Sequence, residues 1–147
     1  MSQSPLIMAV RTMGHLNLSI DWSTNETLAV DLAGLMAGSA VLAPLGNDAF
    51  FAQVTVEEWG HGLDWPGGLD LGADLLYKLG REQAGLLSPS QFDRWMRENN
   101  LTLSTAAEAL GMSRRMIAHY RTGSRPIPRV VQLACLGWEV AQRQRAA

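Results

Sequence analysis

The sequence predicts an α+β N-terminal domain, a small antiparallel sheet with short helices, followed by an all-α domain of four or five helices. Three observations carry this. Apolar residues alternate with polar ones only in the first half, helical apolar spacing opened by capping residues occurs only in the second, and the charge changes sign between them. The chain has 147 residues, 47% apolar and 18% charged, the balance of a globular protein with room for one ordinary domain or two small ones. Disorder and a coiled coil are excluded by that balance. The net charge of −2 averages two unlike halves. Up to residue 87, Arg11, Lys78 and Arg81 face ten carboxylates, a net of −7, whereas from Ser88 onward nine arginines face Asp93, Glu98, Glu108 and Glu139, a net of +5. Such asymmetry points to a charged partner. The implied domains are 1–84, small and acidic, and 85–147.

The first half reads as strands. Leu6–Arg11 is the first. Leu16, Leu18, Ile20 and Trp22 alternate with Asn17, Ser19 and Asp21, the period of a half-buried strand. Ser23-Thr24-Asn25-Glu26 is turn chemistry and Thr27–Leu32 is extended again, which makes a hairpin. The β-branched run Val54, Thr55, Val56 predicts a fourth strand over Phe51–Val56. Asp64-Trp65-Pro66-Gly67-Gly68 must turn, because proline fixes its own φ and two glycines follow. Ala73–Gln83 fits a short helix, and Gly80–Leu87 reads as the linker.

The second half is helical and clearly punctuated. Ser88-Pro89-Ser90-Gln91 combines a capping serine, proline at the first helical position and glutamine at the third, and Phe92, Trp95 and Met96 follow at helical spacing. A helix over Pro89–Asn99 results. Thr102–Leu110 is a second, with Ala106, Ala107 and Leu110 inward; Gly111 supplies a positive φ for a tight turn. Ser113 caps a third, Arg114–Arg121, whose apolar Ile117 and Tyr120 lie three apart; Gly123 ends it. After the stiff Arg125-Pro126-Ile127-Pro128 link, a last helix starts at Pro128 and carries Val131, Ala134, Cys135 and Trp138.

Two short helices joined by a glycine turn, the second opened by a serine cap, are the geometry of a helix-turn-helix. The stretch Thr102–Gly123 resembles the phage-repressor-like (lambda-repressor-like) helix-turn-helix family through Ala106 and Ala107, Leu110-Gly111-Met112-Ser113, Ile117 and Gly123. With the flanking helices the resemblance covers Ser88–Val140. Leu103 stands where that family often has glutamine. The resemblance implies a bacterial transcriptional regulator that binds double-stranded DNA, with the second helix in the major groove. Arg114 and Arg115, in its first turn, are the candidate base readers, since a guanidinium can donate two bonds to guanine. Ser113, Thr102 and Ser104, at helix starts, suit phosphates. His119, one turn after Arg115 on the outer face, suits backbone or base, and Arg121 and Arg125 add electrostatic contacts. A homodimer on a two-fold site is expected, because one such motif reads only a few base pairs. Helix-turn-helix geometry also serves protein contacts, so an antitoxin whose first domain holds a toxin and a plain adaptor are alternatives.

From Leu16 to Tyr77 the chain resembles a family of small, uncharacterised bacterial domains. The matching residues are Val30-Asp31-Leu32, then Pro44, Leu45 and Phe51, then Trp65, Pro66, Gly68, Asp70 and Leu71. That family appears among regulatory and antitoxin-like proteins, so it implies company and no chemistry; Val30, Leu32, Phe51 and Trp65 read as core.

Other function classes have little support. Glu57, Glu58, His61, Asp64, Asp70 and Asp74 form an acidic cluster without the order of a calcium loop, and Gly67-Gly68-Leu69-Asp70-Leu71-Gly72 is neither a dinucleotide nor a phosphate loop. No metal and no cofactor are expected. Three scattered histidines, His15, His61 and His119, offer no catalytic pairing, so an enzyme is not expected. Cys135, the single cysteine, sits in an apolar run and reads as a buried thiol. No apolar run reaches the roughly 18 residues of a membrane span, and the first twenty residues lack the pattern of a signal peptide. A cytoplasmic location is the expectation.

Overall fold

The structure, a computed structural model, describes residues 5–146. It divides into two compact units, Pro5–Gly85 and the segment from Leu86 onward. The first is α+β and the second is helical throughout.

Strands β1 (Ile7–Thr12), β2 (Asn17–Trp22) and β3 (Thr27–Asp31) form an antiparallel sheet in that order. The alternation in the sequence sets its faces. Leu18, Ile20 and Trp22 on β2, with Leu28 and Val30 on β3, are buried, and the register places Leu18 opposite Val30 and Ile20 opposite Leu28, so the cross-strand pairs are apolar on the inner side. Helix α3 (Ala73–Gln83) packs against β3. Its close approach depends on Gly80, where an added Cβ would lie 3.0 Å from the Leu28 Cβ. A polar lock ties the same helix to the hairpin turn. The Arg81 guanidinium donates to Glu26 Oε2 at 2.7 Å, the Tyr77 hydroxyl donates to Glu26 Oε1 at 2.5 Å, and the Thr24 hydroxyl donates to Glu26 Oε1 at 2.7 Å. Burial, then the bond to Glu26, pushes the Tyr77 phenol above its ordinary range.

Between these elements the structure departs from the sequence expectation. One sheet was expected, and among the described residues there are two. The second, antiparallel, consists of β4 (Thr55–Val56), β5 (Gly62–Asp64) and β6 (Asp70–Gly72). The strand expected over Phe51–Val56 is only Thr55–Val56. Phe51 instead ends a one-turn helix, α2 (Asp48–Phe51), which follows α1 (Ala33–Ala37) and a 3-10 stretch over Ala40–Gly46. Two contacts hold Phe51 there. The Asn47 side chain caps α2 by accepting from the Phe50 amide at 3.1 Å, and the Trp65 indole N–H donates to the Phe51 carbonyl at 3.0 Å. The linker expected over Gly80–Leu87 is also shorter, because α3 continues to Gln83 and Gly80 is a buried packing position. The turn after Trp65 holds, with Gly67 at φ 82° and Gly68 at φ 83°.

Among the described residues the second unit has four helices: α4 (Pro89–Glu98), α5 (Leu103–Leu110), α6 (Arg114–Thr122) and α7 (Arg129–Ala146). A capping box at Ser88 and Gln91 opens α4, as its sequence predicts. The core joins Phe92, Trp95 and Met96 of α4 to Ala106 and Ala107 of α5, Ile117 and Tyr120 of α6, then Ile127, and Val131 and Cys135 of α7. Phe92 lies at its centre, stacked on Trp95 and edge-on to Tyr120. Leu103 packs at the edge of this core. Burial pushes the Cys135 thiol up to about 12, with the Glu139 charge adding to the effect. No helix among the described residues is long and apolar enough to cross a membrane.

Candidate nucleic-acid interface

The site is built by two capped helices and the turn between them. Thr102 opens α5: its hydroxyl accepts from the Thr105 amide at 3.2 Å, and the Thr105 hydroxyl accepts from the Thr102 amide at 2.8 Å. Ser104, in the first turn, is exposed. Helix α5 ends at Gly111, whose φ of 67° and ψ of 37° are left-handed. An added Cβ there would meet nothing within 4 Å, so glycine is required by backbone conformation rather than by space. Two residues later the Ser113 hydroxyl accepts from the Met116 amide at 3.1 Å and starts α6. Small side chains at Ala106 and Ala107 let α5 and α6 pack together.

This start of α6 fixes the two candidate readers. Arg114 and Arg115 are its first two residues, and both are exposed. No salt bridge among the described residues involves either. Their own backbone N–H groups lie at the helix N-terminus, where the Ser113 side-chain bond reaches only Met116, so both arginines stand at the end of α6 that carries its open donors.

The other candidates are placed differently. Arg121, in the last turn of α6, donates from Nε to Asp93 Oδ1 at 2.7 Å, and Arg97 bonds the other oxygen of the same carboxylate. Burial works to raise the Asp93 carboxyl, but the bonds from Arg121 and Arg97 outweigh it and hold it below the usual range. Arg121 therefore braces α6 against α4. Arg125 is exposed beyond the Gly123 turn, and its charge opposes the rise that burial gives the Tyr120 phenol.

His119 does not lie on the outer face as its spacing suggested. The left-handed Gly123, at φ 84°, reverses the chain, so Ser124 Oγ comes within 2.7 Å of His119 Nδ1. The other ring nitrogen, Nε2, is buried with no hydrogen-bond partner. Neither nitrogen is presented to a ligand. The residue that sequence reasoning missed is Asp93; its pairing with Arg97 follows helical i, i+4 spacing, whereas its pairing with Arg121 spans 28 residues and leaves no local trace.

In the first unit the expected acidic cluster falls on three elements: Asp64 on β5 lies opposite Asp70 on β6, and Asp74 is in the first turn of α3. Among the described residues no group of three or more His, Cys, Asp or Glu side chains is arranged to hold a metal.

No curated protein matches the chain. A solved structure does: a protein of Nitrosomonas europaea described as a "putative DNA binding protein", with 44% sequence identity and a TM-score of 0.77 over 92% of this chain and 86% of the other. Residues 7–82, which end one residue before α3 does, match a family described as a protein of unknown function, DUF2442. With half of its length under that match and the four-helix unit following it, the chain belongs to the DUF2442 family.

Proposed function

We propose that the helical unit binds double-stranded DNA as a lambda-repressor-like domain, α5, the Gly111 turn and α6 forming its helix-turn-helix, and that the protein acts as a transcriptional regulator. One observation carries the reading. The capped start of α6 presents Arg114 and Arg115, exposed and free of carboxylate partners, next to unbonded backbone donors. Guanidinium groups there reach base edges in the major groove, while helix N-termini hold phosphates. Ser104 and Arg125 add contacts at the edge, and the Thr102 and Ser113 hydroxyls serve mainly to fix the two helix starts. The net charge of +5 from Ser88 onward supplies the attraction, and the description given to the Nitrosomonas europaea relative supports the same partner. A regulator of this size acts as a homodimer on inverted half-sites about one helical turn apart.

The test is the Arg114→Ala/Arg115→Ala variant, compared with the parent on a DNA site selected from a random pool and on unselected DNA. Each arginine lost should weaken the selected site by about 1 to 3 kcal/mol and flatten its sequence preference, with the fold unchanged. Unchanged affinity on both DNAs would leave α5 and α6 as a protein-contact module.

A further inference from the structure

A cleft of about 270 Å³ lies between α4 and α7, inside the helical unit. Two stripes of side chains line it: Leu87 just before α4, with Gln91 and Trp95 four residues apart on that helix, and Cys135, Leu136 and Glu139 along one side of α7. Its walls are fixed before any ligand arrives. The Gln91 side chain is held by the capping box, its oxygen accepting from the Ser88 amide at 3.1 Å. Trp95 is buried, stacked on Phe92 and edge-on to Trp138 of α7, with the two indole centroids 5.6 Å apart. An apolar cavity of about 150 Å³ takes a benzene ring, so this cleft has room for one ring and a short chain.

The lining is mainly apolar and holds one charged group. Glu139 is half-buried and forms no salt bridge among the described residues, not even with Arg143 four residues further along α7. Its charge lies close enough to Cys135 to add to the upward push that burial gives the thiol. A carboxylate that has lost part of its hydration without gaining a cation favours a ligand that brings one, and the Trp95 ring favours the same sign. We propose that the cleft between α4 and α7 binds a small organic cation, an ammonium group on an apolar body about one ring in size, with the ammonium against Glu139 and the body among Leu87, Trp95 and Leu136. The net charge of +5 from Ser88 onward opposes any cation, so the apolar body holds the ligand and Glu139 selects its sign. This site does not depend on the DNA-binding reading.

The experiment titrates the full chain, without DNA, with three probes that share one body and differ in charge: phenethylamine, phenethyl alcohol and phenylacetate. Binding is followed through the Trp95 indole N–H and the Gln91 side-chain amide by nuclear magnetic resonance. Phenethylamine should saturate with a Kd of about 1 mM or tighter, a modest value for so small a molecule. The alcohol should bind at least about tenfold more weakly, since it cannot form the charge-assisted bond, and phenylacetate more weakly still. Glu139→Gln should bring amine and alcohol to equal affinity while leaving the alcohol's own affinity in place, and Leu136→Trp, which fills the cleft from its exposed edge, should weaken all three. Equal binding of the three probes by the parent overturns the proposal, as does a parent that shows no saturable shift with the amine. An amine preference that survives in Glu139→Gln also overturns it, by moving the cation elsewhere. Should either variant misfold, the ranking of the three probes on the parent decides.

Discussion

The two units use arginine in opposite ways. In Pro5–Gly85, Arg81 is turned inward: its side chain is 4% exposed and is bonded to Glu26, beside the Tyr77 hydroxyl that shares the same carboxylate. The charge there is structural, fastening α3 to the turn between β2 and β3. In the helical unit Arg114 and Arg115 are presented outward, and the nearby ion pairs of Asp93 hold the frame behind them. Net charge alone would not separate these uses. The helix cap and the count of carboxylate partners do.

The largest effect should come from breaking the inward arrangement. Arg81→Met leaves Glu26 charged and half-buried without its guanidinium, and removing one partner of a buried pair typically costs about 3 to 5 kcal/mol. Denaturation followed by Trp22 fluorescence and by hydrogen exchange of the β3 amides should show it. The double variant Arg81→Met/Glu26→Gln should recover part of the loss, since the stranded charge is then gone. Arg97→Ala, an exposed partner of Asp93 at 74% side-chain exposure, should cost less than about 1 kcal/mol. Equal costs for the two would erase the contrast between the units.

Next in size are the two devices that aim Arg114 and Arg115. Gly111→Ala should destabilise the helical unit by about 1 kcal/mol, because an L-residue resists the left-handed conformation even where its Cβ has room. Ser113→Ala should cost a similar amount, about 1 kcal/mol, through loss of the cap. Thermal denaturation measures both. On DNA, Ser113→Ala should weaken binding more than its stability loss predicts, since the freed α6 start no longer holds the two arginines in place; proportionate changes would reduce Ser113 to a structural cap.

What was legible in the sequence follows from how local each cause is. The capping box at Ser88, the left-handed glycines 111 and 123 and the hairpin turn at Asn25 all act within four residues, so spacing alone shows them. Phe51 misleads because β-branched neighbours suggest a strand, while the contacts that decide come from Asn47 and from Trp65, the latter 14 residues away. Helix α1 buries no side chain, so no apolar period exists to reveal it. Gly80 reads as a breaker in the sequence, and only its closeness to Leu28 explains it as a packing site. In the candidate site the reader positions are local to the Ser113 cap, whereas the inward turn of His119 and the Asp93–Arg121 brace depend on the chain folding back.

The smallest effects, and the finest test of the contrast, concern acid. Asp21 on β2 is exposed and is held down to about 2 by bonds from Arg11 and then from Thr27; Asp93, partly buried, is held below the usual range by Arg121 and Arg97 against the effect of burial. Both carboxyls have folded values below the ordinary value of about 3.9, so each stabilises its unit at pH above that value. The contribution fades as pH falls: for Asp21 between about 3.9 and about 2, and for Asp93 over a window that opens at the same upper end. Asp21→Asn and Asp93→Asn should each flatten the acid dependence of one unit's unfolding and leave the other's unchanged. On DNA the two should part. Asp93→Asn releases Arg97 and Arg121 from their shared carboxylate, so the salt dependence of binding should steepen, by up to about 0.9 in the log–log slope for each additional phosphate neutralised. Asp21→Asn should leave the slope as it is. If Asp93→Asn leaves it unchanged too, the α4–α6 brace faces away from the nucleic acid, and the interface narrows to the start of α6.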